Sequence, residues 1–337
     1  MNNSLSSPPQ ENNLNRERVM RFVSSSGLLI AVILLFTYLS VDAPNFLSSR
    51  NLLNIMRAVS FSGIIACGMT LIIISADIDV SVGSAAAWSS SLLGVLAIDL
   101  EFPLIVAVIV VLLQGALIHG IAGYIRTRWE IPAFVVTLAM FISLRGAARL
   151  ITNAYPITPF PDSFNFWGGG YVLEGIPFLE RGIPVPVVFM LVTFVIFYFV
   201  TQRTVFGRAV YAVGGNEEAA RLSGISIMRT RLIIFGITGF LAAFAGVLIS
   251  SRVMSGSSNI AEGLEFEVIA AVIIGGTSLA GGKGSIWGTF LGVIFIGLLS
   301  NGMVLKGISP FVQEVVRGLI ILLAVFISTW QRSLQKG

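Results

Sequence analysis

Asp77 and Asp79, in the string SADIDVSVGS between two apolar runs, are the acids whose placement most needs a reason. A carboxylate at or within a membrane is costly, so it is expected to have a partner or a task. No basic residue stands in this string, which leaves two readings: Asp79 caps a helix beginning near Val80, or one of the pair lines a polar path with Ser81 and Ser84. Arg145 and Arg149 stand at i and i+4 of another apolar run and share one helical face. Their stems either snorkel to the nearer interface or bring a guanidinium to a solute. Thr137, Thr277 and Ser278 are also polar residues in apolar surroundings. The candidate path is therefore Asp77, Asp79, Ser81, Ser84, Thr137, Arg145, Thr277 and Ser278. Glu314 and Arg317, at i and i+3, read as a structural pair.

Catalytic chemistry has little to work with. One Cys (Cys67) and one His (His119) exclude a disulfide framework, a metal site rich in either residue, and any triad needing a second copy of them. His119 reads as a packed residue in an apolar run and Cys67 as a small core residue. The stretch GGTSLAGGKGS has the composition of a phosphate loop but not its spacing. Counted back from Lys283, the position of the first Gly is Thr277, and Gly284 follows the Lys where Ser or Thr would hold magnesium. No cofactor, metal or enzyme activity is expected of this chain, and ATP, if it drives the protein, is handled by another subunit.

The longest polar connection, Gln202 to Arg231, contains AVGGNEEAARLSGI. Gly214-Gly215 interrupts the chain and Asn216 can cap a new helix. Glu217 and Glu218 then fall in the first turn, where the helix dipole favours acids. Ala219, Ala220, Arg221 and Leu222 continue it, and Gly224 stops it before Ile225. A free helix of about two turns is marginal in water, so it must pack against something. It lies either on the protein's own surface or against a partner.

The elements that position these residues follow from composition. Of 337 residues 55% are hydrophobic and 11% charged, against roughly 25% charged in a soluble domain, and mean hydropathy is +0.90. The solvent for most of the chain is lipid. Apolar runs near 24–41, 58–75, 80–98, 103–125, 132–151, 183–201, 231–251, 266–282, 285–305 and 312–330 predict an all-α polytopic membrane bundle of about ten segments. A polar, disordered cytoplasmic tail is expected over 1–22, the membrane domain over 23–331 with its coupling loop at about 202–231, and a short tail over 332–337. Threaded with both termini in the cytoplasm, the inner loops collect most of the Arg and Lys, including Arg126, Arg128, Arg203, Arg208 and Arg229. The net charge of +4 thus reads as orientation, not as nucleic-acid binding. The run containing AVIIGGTSLAGGKG and the run from Pro132 with its two arginines are expected to be broken or re-entrant and to lie inside the bundle.

Six stretches carry a resemblance: NFLSSRNLLNIMR (45–57), DIDVSVGS (77–84), IPAFVVTLAMFISLRG (131–146), residues 207–225 with their ending AVGGNEEAARLSGI, EFEVIAAVIIGGTSLAGGKGSIWGTFLG (265–292) and NGMVLKGIS (301–309). The chain resembles permease subunits of bacterial carbohydrate ATP-binding-cassette (ABC) importers, most closely the ribose type, over nearly all its length after the first helix. The resemblance implies a multi-pass protein of the bacterial inner membrane, paired with a second permease subunit that is either a copy or a different chain. It also implies cytoplasmic ATP-binding subunits and an extracytoplasmic sugar-binding protein. The segment resembling Gly215 to Ile225 is then where the ATPase docks. One position departs from the family pattern: Gly-Gly commonly precedes the Ile-Asp of the second stretch, and here Ala76 and Asp77 stand there. That extra acid bears on the charge of the solute. An ion-coupled secondary transporter is the competing reading, but it ordinarily uses intramembrane acids, and the acids here stand almost entirely at loop edges.

Overall fold

The computed structural model describes the backbone of residues 11–175 and 182–334, and side chains for 27–175, 182–323, 325 and 326. In lipid every backbone N–H and C=O must be satisfied within the protein, so the apolar runs become helices. These are α1 (Glu11–Asp42), α2 (Ser49–Ile74), α3 (Val82–Gly94) with a π-helical turn continuing to Asp99, α4 (Leu104–Arg128) and α5 (Ala133–Thr152). After a link containing α6 (Asn165–Gly169) and the two-residue antiparallel strands β1 (Tyr171–Val172) and β2 (Ile183–Pro184) come α7 (Val185–Arg203), α8 (Val205–Gly215), α9 (Glu217–Leu222) and α10 (Ile227–Val253). The chain ends with α11 (Leu264–Ile274), α12 (Ile286–Leu305) and α13 (Pro310–Leu334).

Among the described residues seven helices are long and apolar enough to cross a membrane: α2, α3 with its π turn, α4, α5, α7, α10 and α12. Gly27–Asp42 within α1 is a shorter apolar stretch. The chain is an all-α, multi-pass membrane protein. The tails expected at 1–22 and 332–337 fall outside the described residues at 1–10 and 335–337; from Glu11 the backbone is α1, and α13 runs to Leu334.

Small residues let α10 sit at the centre. Gly115 of α4 faces Gly239, Ala86 of α3 faces Gly246, and Gly68 of α2 faces Thr238, so three helices approach α10 with little side chain between them. Membrane helices associate through such close packing because lipid is as apolar as their own side chains.

Two expectations about broken runs come out differently. The run 266–282 is not one helix: α11 has 11 residues, about 16 Å at the usual rise, and stops at Gly275 and Gly276, the latter at φ +87°. It lies inside the bundle as expected, with Val268, Ala271 and Val272 buried. The run from Pro132 is unbroken, and α5 turns Phe134, Val135, Ile142 and Leu150 outward. Arg145 needs no break and does not snorkel; its Nη1 donates to the carbonyls of Ser258 and Ile260, each at 2.8 Å, while Arg149 is exposed.

Candidate docking and coupling site

At one end of the bundle the connection 204–226 is built by local signals. Thr204 caps α8 by accepting from the Gly207 N–H at 3.0 Å. Gly214 has no room for a side chain, since a methyl there would overlap the Ile74 carbonyl at the end of α2. Asn216 leaves helical geometry (φ −158°, ψ 102°) and its Oδ1 accepts from the Ala219 N–H at 3.0 Å, which starts α9 as expected. Gly224 (φ +81°) ends it, with the Ile225 N–H returning to the Ala220 carbonyl at 3.0 Å. Ala220 packs with Val213 and Ile227, and Ile225 is partly buried. Ala219 and Leu222 face outward, Leu222 being 79% exposed. The helix therefore rests on the protein along one edge and presents the other.

A chain of alternating charges ties α9 to the interior. Arg231, 2% exposed and one turn into α10, donates Nη1 and Nη2 to the two oxygens of Glu217 at 2.9 and 2.7 Å. Its Nε donates to Asp77 Oδ2 at 3.0 Å, and the other oxygen of Asp77 accepts from Arg126 Nε, at the end of α4, at 2.8 Å. Both arginines stand far from Asp77 in sequence, and both of its oxygens are engaged. The hydrogen bonds from Arg231 hold the Glu217 carboxyl below its ordinary range. A buried pair of this kind is weak evidence for stability, but its planar bidentate geometry fixes an orientation. Among the described residues Glu218 pairs with Arg221 on the surface, which is worth little.

Asp77 belongs to a non-helical link, 75–81, that leads from α2 into α3. The link turns at Ala76 (φ +63°), and the Asp77 N–H returns to Ile72 at 3.1 Å. Thr137 of α5 holds it by donating to Ile78 O at 3.2 Å and accepting from the Val80 N–H at 3.3 Å. Asp79 does not cap the helix. The first helical residue is Val82, and Asp79 Oδ1 accepts from the N–H and hydroxyl of Ser81, one position earlier, at 2.8 and 2.6 Å. His119 is fully buried but not merely packed: its Nε2 lies 3.2 Å from Ser81 Oγ and 3.5 Å from Asp79 Oδ2.

The candidate path residues thus separate. Asp79, Ser81 and Thr137 gather along the link beside His119, and Ser84 is buried in the first turn of α3. Arg145 is held by the 258–260 backbone, with the buried Glu265 exerting an attraction on it. Thr277 and Ser278 lie in the glycine-rich link 275–285. That link packs backbone to backbone on α2 and α8, its Gly282 N–H donating to Ile74 O at 2.8 Å, while Tyr211 Oη donates to Gly284 O at 2.9 Å. Arg126, Arg231 and Glu265 were not singled out from sequence.

Residues 51–325 match the family described as branched-chain amino acid transport system / permease component. The chain is 45% identical to the probable ABC transporter permease protein YphD of Escherichia coli (strain K12), over 92% of this chain and 91% of that protein. It is 39% identical to the ribose import permease protein RbsC of Haemophilus influenzae over 94% and 96% of the two chains. It is 35% identical to the xylose transport system permease protein XylH of the same organism, over 90% and 94%. No solved structure matches the chain.

Proposed function

Because the chain belongs to the branched-chain amino acid transport system / permease component family, we propose that it is the membrane subunit of a sugar importer driven by ATP hydrolysis on a separate subunit. Its relatives named for ribose and xylose import make a monosaccharide or a sugar-like solute the cargo. It works with ATP-binding subunits on the cytoplasmic side, a second permease subunit and an extracytoplasmic binding protein that delivers the solute. Its location is the bacterial inner membrane.

The observation that carries the reading is α9: a short capped helix, exposed along one edge and clasped to the interior through Glu217 and Arg231. A helix that short needs such an anchor to persist, and the anchor also gives a force applied to its exposed edge a route into the bundle. The residues Gly215 to Ile225 form the ATPase dock, and domain closure below shifts the bundle between two discrete packings. Ten crossings with both termini in the cytoplasm fit the contacts between segments. The tenth is the broken stretch 256–282, whose Gly256 pairs with Ile157 at one end of the bundle and whose Gly282 meets Ile74 at the other. Lys306 after α12 pairs with Asp42 at the end of α1, which puts the ends of those helices on one side. Asp79, Ser81, Ser84 and Thr137 line the path on this reading.

Mass spectrometry of a tagged copy extracted gently from its own host tests the proposal. Recovery of an ATP-binding subunit in stoichiometric amount is expected. A stable preparation of this chain alone, importing solute under an ion gradient, would overturn it in favour of the secondary transporter.

A further inference from the structure

We infer that Asp77 is the positioning residue that makes the docking helix α9 and the link into α3 move as one piece. The inference rests on α9 being the ATPase dock. With six residues and Ala220 as its one fully buried side chain, α9 cannot impose its own position on the bundle. Its rigid attachment is the fork of Arg231 on Glu217, and a fork fixes the angle between two groups only if the guanidinium is itself fixed. Asp77 does this. Among the described residues it is the acceptor for Arg231 Nε, and its second oxygen is held by Arg126, so the carboxylate is anchored to α10 and α4 from two directions.

The same residue sits in the link, with its own N–H bonded back to Ile72 and Ile78 beside it held by Thr137. Four residues further on, Ser81 leads into α3. A displacement of the half-exposed Glu217 therefore reaches the buried Arg231, then the buried Asp77, then the link. The extra acid at this position needs no charged solute to explain it, because two guanidinium groups use both its oxygens.

Hydrogen–deuterium exchange on the assembled complex, this chain with its ATP-binding subunits in lipid nanodiscs, reads the connection without requiring the solute. Nucleotide-free complex is compared with complex trapped by ATP and vanadate. In the wild type, exchange is expected to change in both 216–226 and 75–81. In Asp77→Asn the response of 216–226 persists while that of 75–81 falls about tenfold, within the usual range of coupling between sites. Asp77→Glu restores it. Glu217→Gln, half exposed and on the other side of Arg231, should also silence the link, and combining it with Asp77→Asn should add nothing. If Asp77→Asn fails to assemble, the Glu217→Gln result decides alone. A link that responds equally in these variants, or losses that add, would overturn the inference. Absence of any response at 216–226 in the wild type would instead remove the docking assignment beneath it.

Discussion

Arg231, one turn into α10, and Glu217, the first residue of α9, join the N-terminal parts of two helices. The dipole of α9 favours Glu217 in its first turn, while Arg231 stands one turn into α10 and depends on its acid partners for its charge. The acid of one helix neutralises the buried cation of the other at 2.7 and 2.9 Å. Burial then makes the arrangement one-sided: Arg231 is 2% exposed and its partner's side chain 50%. Loss of the guanidinium leaves the buried Asp77 with Arg126 alone, while loss of Glu217 leaves Arg231 with Asp77.

Arg231→Met should therefore be the most damaging single change at the site. Removing one partner of a buried pair costs about 3–5 kcal/mol, softened here because Arg126 still holds Asp77. A clear fall in the thermal unfolding midpoint of the purified protein is expected, larger than that of Glu217→Gln. Equal midpoints would mean that the network carries no structural weight.

The caps of α9 predict a defect of a different kind. Asn216→Ala removes the Oδ1 bond to Ala219 and costs the helix about 1 kcal/mol, and Gly224→Val forces a branched residue into a left-handed turn at φ +81°. Since α9 lies at the surface, the bundle should unfold at an unchanged temperature while copurification of the ATP-binding subunit drops. Full retention of the partner with both substitutions would count against the dock.

Leu222 offers a cleaner probe of the exposed edge. It is 79% exposed, so Leu222→Asp should leave stability within about 0.5 kcal/mol. Binding of the ATP-binding subunit, measured by titration in detergent, should weaken sharply. An unaltered affinity would mean that the partner does not touch this edge.

The depressed carboxyl of Glu217 sets a pH dependence. A group whose folded-state value is lowered contributes stability above its unfolded value, about 4.3 for Glu, and loses it as pH falls through the folded value. The contribution of the clasp to stability should thus be constant from pH 7 to about 5 and vanish in more acidic solution. The unfolding midpoint of wild type minus that of Glu217→Gln, followed across that range, checks it; a difference that disappears already at pH 6 would contradict the assignment.

Gly214 and Gly215 are adjacent but should not behave alike. A methyl at Gly214 overlaps the Ile74 carbonyl and crowds the Gly282 N–H, both backbone, whereas one at Gly215 meets only Gly282 Cα at 4.0 Å. Gly214→Ala should cost about 1–3 kcal/mol by overpacking, and Gly215→Ala should be close to neutral. Equal unfolding midpoints for the two variants would remove the close approach of α8 to the end of α2.

What could be read from sequence was local. The limits of α9 follow from Asn216 and Gly224, each acting within four residues of itself, whereas Gly214 and Gly215, expected to interrupt the chain, are the last two helical residues of α8. Membrane character followed from composition for the same reason: every residue votes on it. The partners of Asp77 lie 49 and 154 residues away, and nothing in SADIDVSVGS specifies which guanidinium returns to it. Arg145 misled in the opposite sense. A cation in an apolar run suggests a break or an interface, yet its acceptors are carbonyls of a segment more than a hundred residues on, and α5 stays whole around it.

Glu217, Arg231, Asp77 and Arg126 alternate in sign and cancel. A single elementary charge carried through a membrane potential gains or loses about 2.3 kcal/mol per 100 mV, enough to make any charged lever respond to voltage. This quartet, displaced as a unit, carries no net charge, and the electric field does no work on its translation. Its displacement adds no voltage-dependent cost.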